Sequence, residues 1–195
     1  MDIGANIGNH AVFFAKHFER VVAFEPNPMV AGLLRANSVG QPIEVVELGL
    51  SDASGKLNFQ INSHNIGGSY ITDRHGSTTI SVDKLDSLVK PLELNDVSFV
   101  KIDVEDHECE MIDGASDFLS AVLPIIAMEG HYESQIEKGK RVTAKLRELG
   151  YRYFYAISEE TDDPRRKHKA FFDFIRGGGT DQRLSSAKKS ASAKA

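Results

Sequence analysis

Two features of the first 28 residues have the types and spacing to hold an adenosine-bearing ligand. The chain opens with Asp2-Ile3-Gly4-Ala5-Asn6-Ile7-Gly8-Asn9-His10, which reads as a strand end, a glycine-bearing turn and a helix start. Then Val21-Val22-Ala23-Phe24 runs into Glu25, followed by Pro26-Asn27-Pro28. In an open α/β sheet, ligands bind beyond the carboxyl ends of the strands, and a carboxylate ending the second strand accepts hydrogen bonds from ribose hydroxyls. That role is common to NAD and S-adenosylmethionine sites. A dinucleotide fingerprint wants glycine at positions 4, 6 and 9, and the chain has Asn6 and Asn9 at the last two. NAD is therefore disfavoured. A ligand without a pyrophosphate needs no such close approach, and its carboxylate still suits the N–H groups of a helix start. Taken alone, Glu25 reads as a solvated strand end, and the company of Gly4 and Gly8 is what points to a ligand.

A second group, Asp103, Glu105, His107, Glu129 and His131, falls at or just past the carboxyl ends of two candidate central strands. If the adenosine-bearing ligand is S-adenosylmethionine, the chemistry is methyl transfer, which needs alignment of the acceptor and exclusion of water. A hydroxyl acceptor also gains roughly 10²–10⁴-fold from a base. His107 and His131 suit that role because neutral imidazole is available near neutral pH. A divalent ion on Asp103, Glu105 and Glu129 is the weaker alternative, since Mg²⁺ keeps several waters and three acids prove little, so no metal is expected. Glu105 and Glu108 equally serve as charge for the first turn of the helix that follows. His10, His17, His64 and His75 have no ligand-like spacing, and Tyr151, Tyr153 and Tyr155 alternate as a strand face does.

The elements that must position these groups follow from hydrophobic patterning. Val21–Glu25, Ile43–Leu50, Ser98–Val104 and Leu123–Glu129 read as central strands of a mostly parallel sheet, because runs this apolar fit strands buried on both faces. Helices are expected at Asn9–Phe18, Pro28–Val39, His107–Leu119 and Ser134–Leu149, the last ended by Gly150. Tyr151–Ile157 and Ala170–Arg176 read as a closing hairpin around a polar loop that carries the basic run Arg165–Lys169. Lys56–Asn62 and Thr78–Val82 are further strands flanking Ser63–Ser77, a flexible loop or a lid on the substrate side.

Composition bounds the class. The chain has 195 residues, 41% hydrophobic and 26% charged, with a formal net charge of −5, one Cys and no Trp. At this length one core suffices, and no apolar run approaches the roughly 18 residues of a membrane span. A cytoplasmic chain without a signal segment is the expectation. Lone Cys109 fits a buried small residue better than a disulfide or a metal cage. Five basic residues against one acid from Arg176 onward leave an acidic body, which argues against a general nucleic-acid surface. Residues 1–176 are read as one domain and 177–195 as a basic Gly/Ser/Ala/Lys tail with little to bury.

The sequence resembles the FkbM-type family of S-adenosylmethionine-dependent methyltransferases. The matching stretches, in the family's order, are Asp2–Asn9, Val22–Pro28, Leu48–Asp52 with Gly55, Val82–Leu85, Val100–Glu105 with His107 and Glu108, and Asp113–Ala115. The resemblance implies a Rossmann-like class I methyltransferase fold, an α/β sheet of seven mostly parallel strands whose last strand is antiparallel. It also implies S-adenosylmethionine as cofactor, with Gly4, Asn6 and Gly8 at its methionine end, Glu25 at the ribose, Ser51 and Asp52 at the adenine edge, Asp103 facing the methyl donor, and Asp2 and Pro26 also among the cofactor-binding residues. Asp106 stands where the family usually has glycine, and the chain starts inside what would be the first strand, which is expected to be truncated. The expected activity is O-methylation of a hydroxyl on a small molecule or sugar. The rivals are an NAD-dependent oxidoreductase and a non-catalytic adenosine-ligand scaffold. Oligomeric state is not read from the residues.

Overall fold

Every position of the second strand is apolar because both its faces are buried. Val22 and Phe24 join a core with Ile3, Val100, Ile102 and Ile126, while Val21 and Ala23 face Ala5, Ala11 and Leu34 on the other side. The computed structural model describes residues 1–128, 136–158 and 171–177. In chain order the elements are β1 (Asp2–Ile3), α1 (Asn9–Phe14), β2 (Val21–Phe24), α2 (Pro28–Asn37), β3 (Ile43–Val46), β4 (Gly49–Leu50), β5 (Gly55–Gln60), β6 (Tyr70–Ile71), β7 (Thr78–Asp83), α3 (Leu85–Leu88), β8 (Phe99–Ile102), α4 (Glu108–Asp113), α5 (Ser116–Val122), β9 (Ile125–Met128), α6 (Ile136–Glu148), β10 (Tyr151–Ser158) and β11 (Phe171–Gly177).

Seven strands form the main sheet in the order β10-β11-β9-β8-β1-β2-β3. The pairs β9–β8, β8–β1, β1–β2 and β2–β3 are parallel, and β11 lies antiparallel between β9 and β10. The expected closing hairpin is therefore present, with its last strand inserted in the sheet. The central β1 is two residues long, Asp2 in register with Ala23 and Lys101, and Ile3 with Phe24 and Ile102.

A second sheet, β4-β7-β5-β6, has its own small core of Phe59, Ile80 and Val82. Its first strand corrects the sequence reading, in which Ile43–Leu50 was one strand. β3 stops at Val46 because its partner β2 ends at Phe24. The chain then turns through Leu48 N–H to Val46 O (2.9 Å), and Gly49–Leu50 pairs with Val82–Asp83 instead. Glycine suits that close pairing, since a Cβ at Gly49 would lie a tight 3.0 Å from the Val82 side chain.

The helix expected over His107–Leu119 is also two helices. A Cβ at Gly114 would sit 1.9 Å from the Ser51 carbonyl oxygen, so the chain crosses β4's end at a glycine, and α5 restarts beyond it. Asp86 caps that restart, accepting from the N–H groups of Asp117 (3.1 Å) and Phe118 (2.9 Å). Among the described residues no helix is long and apolar enough to cross a membrane. Glu129, His131, the Arg165–Lys169 run and residues 178–195 lie outside the described residues, whereas Gly177, read as the start of the tail, ends β11.

Candidate cofactor and active site

The carboxyl ends of β1, β2 and β8 open side by side onto one cavity of about 520 Å³. Its floor is the turn after β1. Gly4 has φ +76°, and a Cβ there would fall 1.8 Å from the Asp103 carbonyl oxygen, so only glycine fits between β1 and β8. Asn6 follows at φ +51°, a left-handed conformation that Asn tolerates. Gly8, also left-handed, ends the turn at the start of α1, where a Cβ would strike Leu34. Asn37 closes the turn from α2, donating through Nδ2 to the Ile7 carbonyl at 2.8 Å.

Glu25 is buried at the cavity wall with its carboxylate fixed from two sides. Oε2 accepts from Asn6 N–H and Oε1 from Asn27 N–H, both at 2.9 Å. Asn27 in turn caps α2, accepting from Met29 N–H at 3.2 Å ahead of Pro28 in the first turn. Burial pushes the Glu25 carboxyl up from its ordinary value, and the two backbone donors only partly offset that. Each carboxylate oxygen holds about two lone-pair sites. With one backbone N–H on each, both oxygens keep acceptor capacity for hydroxyls placed in the cavity.

Asp103, just past β8, lines the same cavity with its side chain 28% exposed. Lys101 donates to Asp103 Oδ2 at 3.0 Å and to the Gly4 carbonyl at 3.3 Å, and its ammonium lies 3.5 Å from Asp2 Oδ1. Asp2 is fully buried beneath the turn, and neither of its carboxylate oxygens has a hydrogen bond among the described residues. Desolvation pushes its carboxyl up, with Lys101 pulling in the opposite sense.

His107 also lines the cavity. Its Nε2 is 2.9 Å from Ser51 Oγ, its Nδ1 is 3.8 Å from Glu110 Oε2, and Ser51 Oγ donates to Asp52 Oδ1 at 3.1 Å. Just before it, Glu105 and Asp106 are both left-handed, at φ +46° and +77°. Asp106 thus adopts the backbone for which glycine is the usual choice.

Of the residues singled out from sequence, Gly4, Asn6, Glu25, Pro26, Asp103, Glu105 and His107 line the cavity. Asp2 and Gly8 lie behind its wall, Ser51 is buried behind His107, and Asp52 is exposed outside it. Of the alternative metal trio, Asp103 and Glu105 both line the cavity. Glu129 lies outside the described residues, and among those described no three His, Cys, Asp or Glu side chains are placed to hold an ion. Cys109 is buried, its thiol pushed up by desolvation.

The sequence reading missed Lys101, whose only signal is a charged residue inside an otherwise apolar strand, and Asn27, whose signal is its position before Pro28. It also left open what covers the cavity. Asn65, Gly67, Gly68 and Ser69, with Phe59 and Ile71 of the second sheet, form the roof, and a Cβ at Gly67 would lie 2.8 Å from Asn6 Nδ2.

Strand order, the antiparallel insertion and a glycine turn facing an acid at the end of β2 define a Rossmann-like class I methyltransferase domain. The chain belongs to the family of the methyltransferase FkbM domain, whose model matches residues 2–153. It is similar to the hexuronic acid methyltransferase AglP of Haloferax volcanii, 37% identical over 123 residues, which cover 62% of this chain and 51% of that protein. The crystal structure of methyltransferase FkbM from Methylobacillus flagellatus KT superposes with a TM-score of 0.62 at 18% identity, covering 89% of this chain and 42% of that one. The chain thus spans about half the length of these relatives.

Proposed function

We propose that this domain binds S-adenosylmethionine and transfers its methyl group to a hydroxyl oxygen of a sugar or other small molecule. The observation that carries the reading is Glu25. Its carboxylate is oriented by the Asn6 and Asn27 amides and keeps acceptor capacity toward the cavity, as a ribose diol requires. The cavity volume lies within the range of small-molecule sites. Gly4, with no Cβ, lets the turn that forms the cavity floor pack against β8.

When bound, the cofactor supplies a sulfonium methyl group whose displacement by a hydroxyl forms a C–O bond, breaks a C–S bond and releases the hydroxyl proton. The chain's own residues divide the remaining work. Glu25 holds the ribose and the Gly4–Gly8 turn the amino-acid end. Asp103, which lines the same cavity, would orient the acceptor hydroxyl or take its proton. His107, tied to Ser51, forms part of the cavity wall and would contact the bound ligand. A sugar acceptor is supported by the relative that methylates a hexuronic acid.

Calorimetric titration with S-adenosylhomocysteine tests the reading. The expected result is binding by the wild type, none of NAD, and a loss of about two to four orders of magnitude in Glu25→Ala, because two charge-assisted hydrogen bonds of roughly 1.5–3 kcal/mol each disappear. A folded chain that binds NAD, or that binds neither ligand, would overturn it.

A further inference from the structure

Lys101 is charged in an apolar strand, and its side chain is 4% exposed. Its three oxygen neighbours are not equivalent. The shorter contacts go to Asp103 (3.0 Å) and the Gly4 carbonyl (3.3 Å), both on the cavity wall, while the fully buried Asp2 takes the longer 3.5 Å ion-pair contact. A lysine present only to neutralise Asp2 would spend its donors there. Alternation along β8 places Lys101 and Asp103 on the same face, so one ammonium reaches both the turn after β1 and the acid after β8.

We infer that Lys101 is the positioning residue of this site, tying the Gly4 turn to Asp103 across the β1–β8 seam with Asp2 as its buried counter-charge. The inference rests on the methyltransferase reading for its functional consequence, but the tie itself is a property of the free protein. Lys101 touches no part of the cavity and acts through the groups it holds.

Lys101→Met alone strands the Asp2 carboxylate in the interior, a change that by itself disrupts folding. The comparison is therefore between Asp2→Asn and Asp2→Asn/Lys101→Met, which differ only in the ammonium. Amide hydrogen exchange and S-adenosylhomocysteine titration are read on both, with Val22–Phe24 of β2 as the internal reference. The expected result is unchanged exchange in β2, with exchange at Gly4 and Ala5, whose N–H groups bond Phe24 O, at least about tenfold faster in the double variant. Affinity should also be at least about tenfold weaker than in Asp2→Asn. Weaker binding with unchanged turn exchange would still support the inference, with Asp103 as the group positioned. Equal affinity in the two variants, or global unfolding of the double variant, would overturn it. If the wild type binds no S-adenosylhomocysteine, the methyltransferase reading fails separately, and turn exchange alone decides the role of Lys101.

Discussion

Glu25 is held by the protein in a state that a ligand should find favourable and the empty fold does not. Its carboxyl is pushed above the ordinary value of 4.5 chiefly by desolvation, with Asp2 adding to the shift and Lys101 opposing it. The charged form is the better acceptor for ribose hydroxyls, so affinity is full above the raised value and falls as pH drops through it. Loss of S-adenosylhomocysteine binding should therefore begin at a higher pH than an ordinary glutamate would give. A titration series from about pH 8 to about pH 4.5 checks this, with Glu25→Gln weak and nearly flat across the range. A flat wild-type profile would remove Glu25 from the ligand. For the empty protein the sign is opposite, because ionised Glu25 costs stability that is regained as pH falls through the same value. Much of this site is legible in the sequence. Gly4, Asn6, Glu25 and Asp103 are recognisable because a turn between a strand and a helix, and acids at strand ends, are local features. Lys101 is not, since its meaning comes from three oxygens on two strands that the chain brings together only when folded.

At the scale of elements, sequence and structure part where one apolar run serves two neighbours. Ile43–Leu50 looks continuous, yet its first half is bound by β2 and its second by β7, and the length of β2 decides where the run breaks. Nothing within those eight residues records where their partners end, apart from Gly49. His107–Leu119 carries one helical stripe, and its division at Gly114 follows from a carbonyl contributed by Ser51, far away in the chain. The restart there depends on Asp86, which accepts from two α5 N–H groups. Asp86→Ala should lower stability by about 1–2 kcal/mol, and Asp86→Asn by less because it keeps one acceptor. In a chain of this size thermal unfolding should move by about 2–4 °C per kcal/mol. An unchanged midpoint for the alanine variant would show that α5 starts without that cap.

The whole molecule joins two sheets across one cavity. The main sheet supplies the floor and the acid residues, while the second sheet and the segment between β5 and β6 supply the roof through Phe59, Gly67 and Ile71. The two meet where Gly67 packs on Asn6, the residue whose N–H also fixes Glu25. A ligand filling the cavity touches both sheets, so binding should slow amide exchange in residues 65–71 as well as in the Gly4–Gly8 turn, while β10 at the far edge keeps its free-state rates. Gly67→Ala separates this coupling from stability. Its Cβ crowds only the far end of the Asn6 side chain, which can shift, and meets Asn65 Oδ1 at an ordinary contact distance of 3.5 Å, so the cost in the free protein should stay below about 1 kcal/mol. The shift disturbs the Asn6 turn and the roof together, and S-adenosylhomocysteine affinity should fall about tenfold, with the protection of residues 65–71 reduced in parallel. Full affinity with lost roof protection would mean that the ligand is held by the main sheet alone, and that the second sheet serves the acceptor rather than the methyl donor.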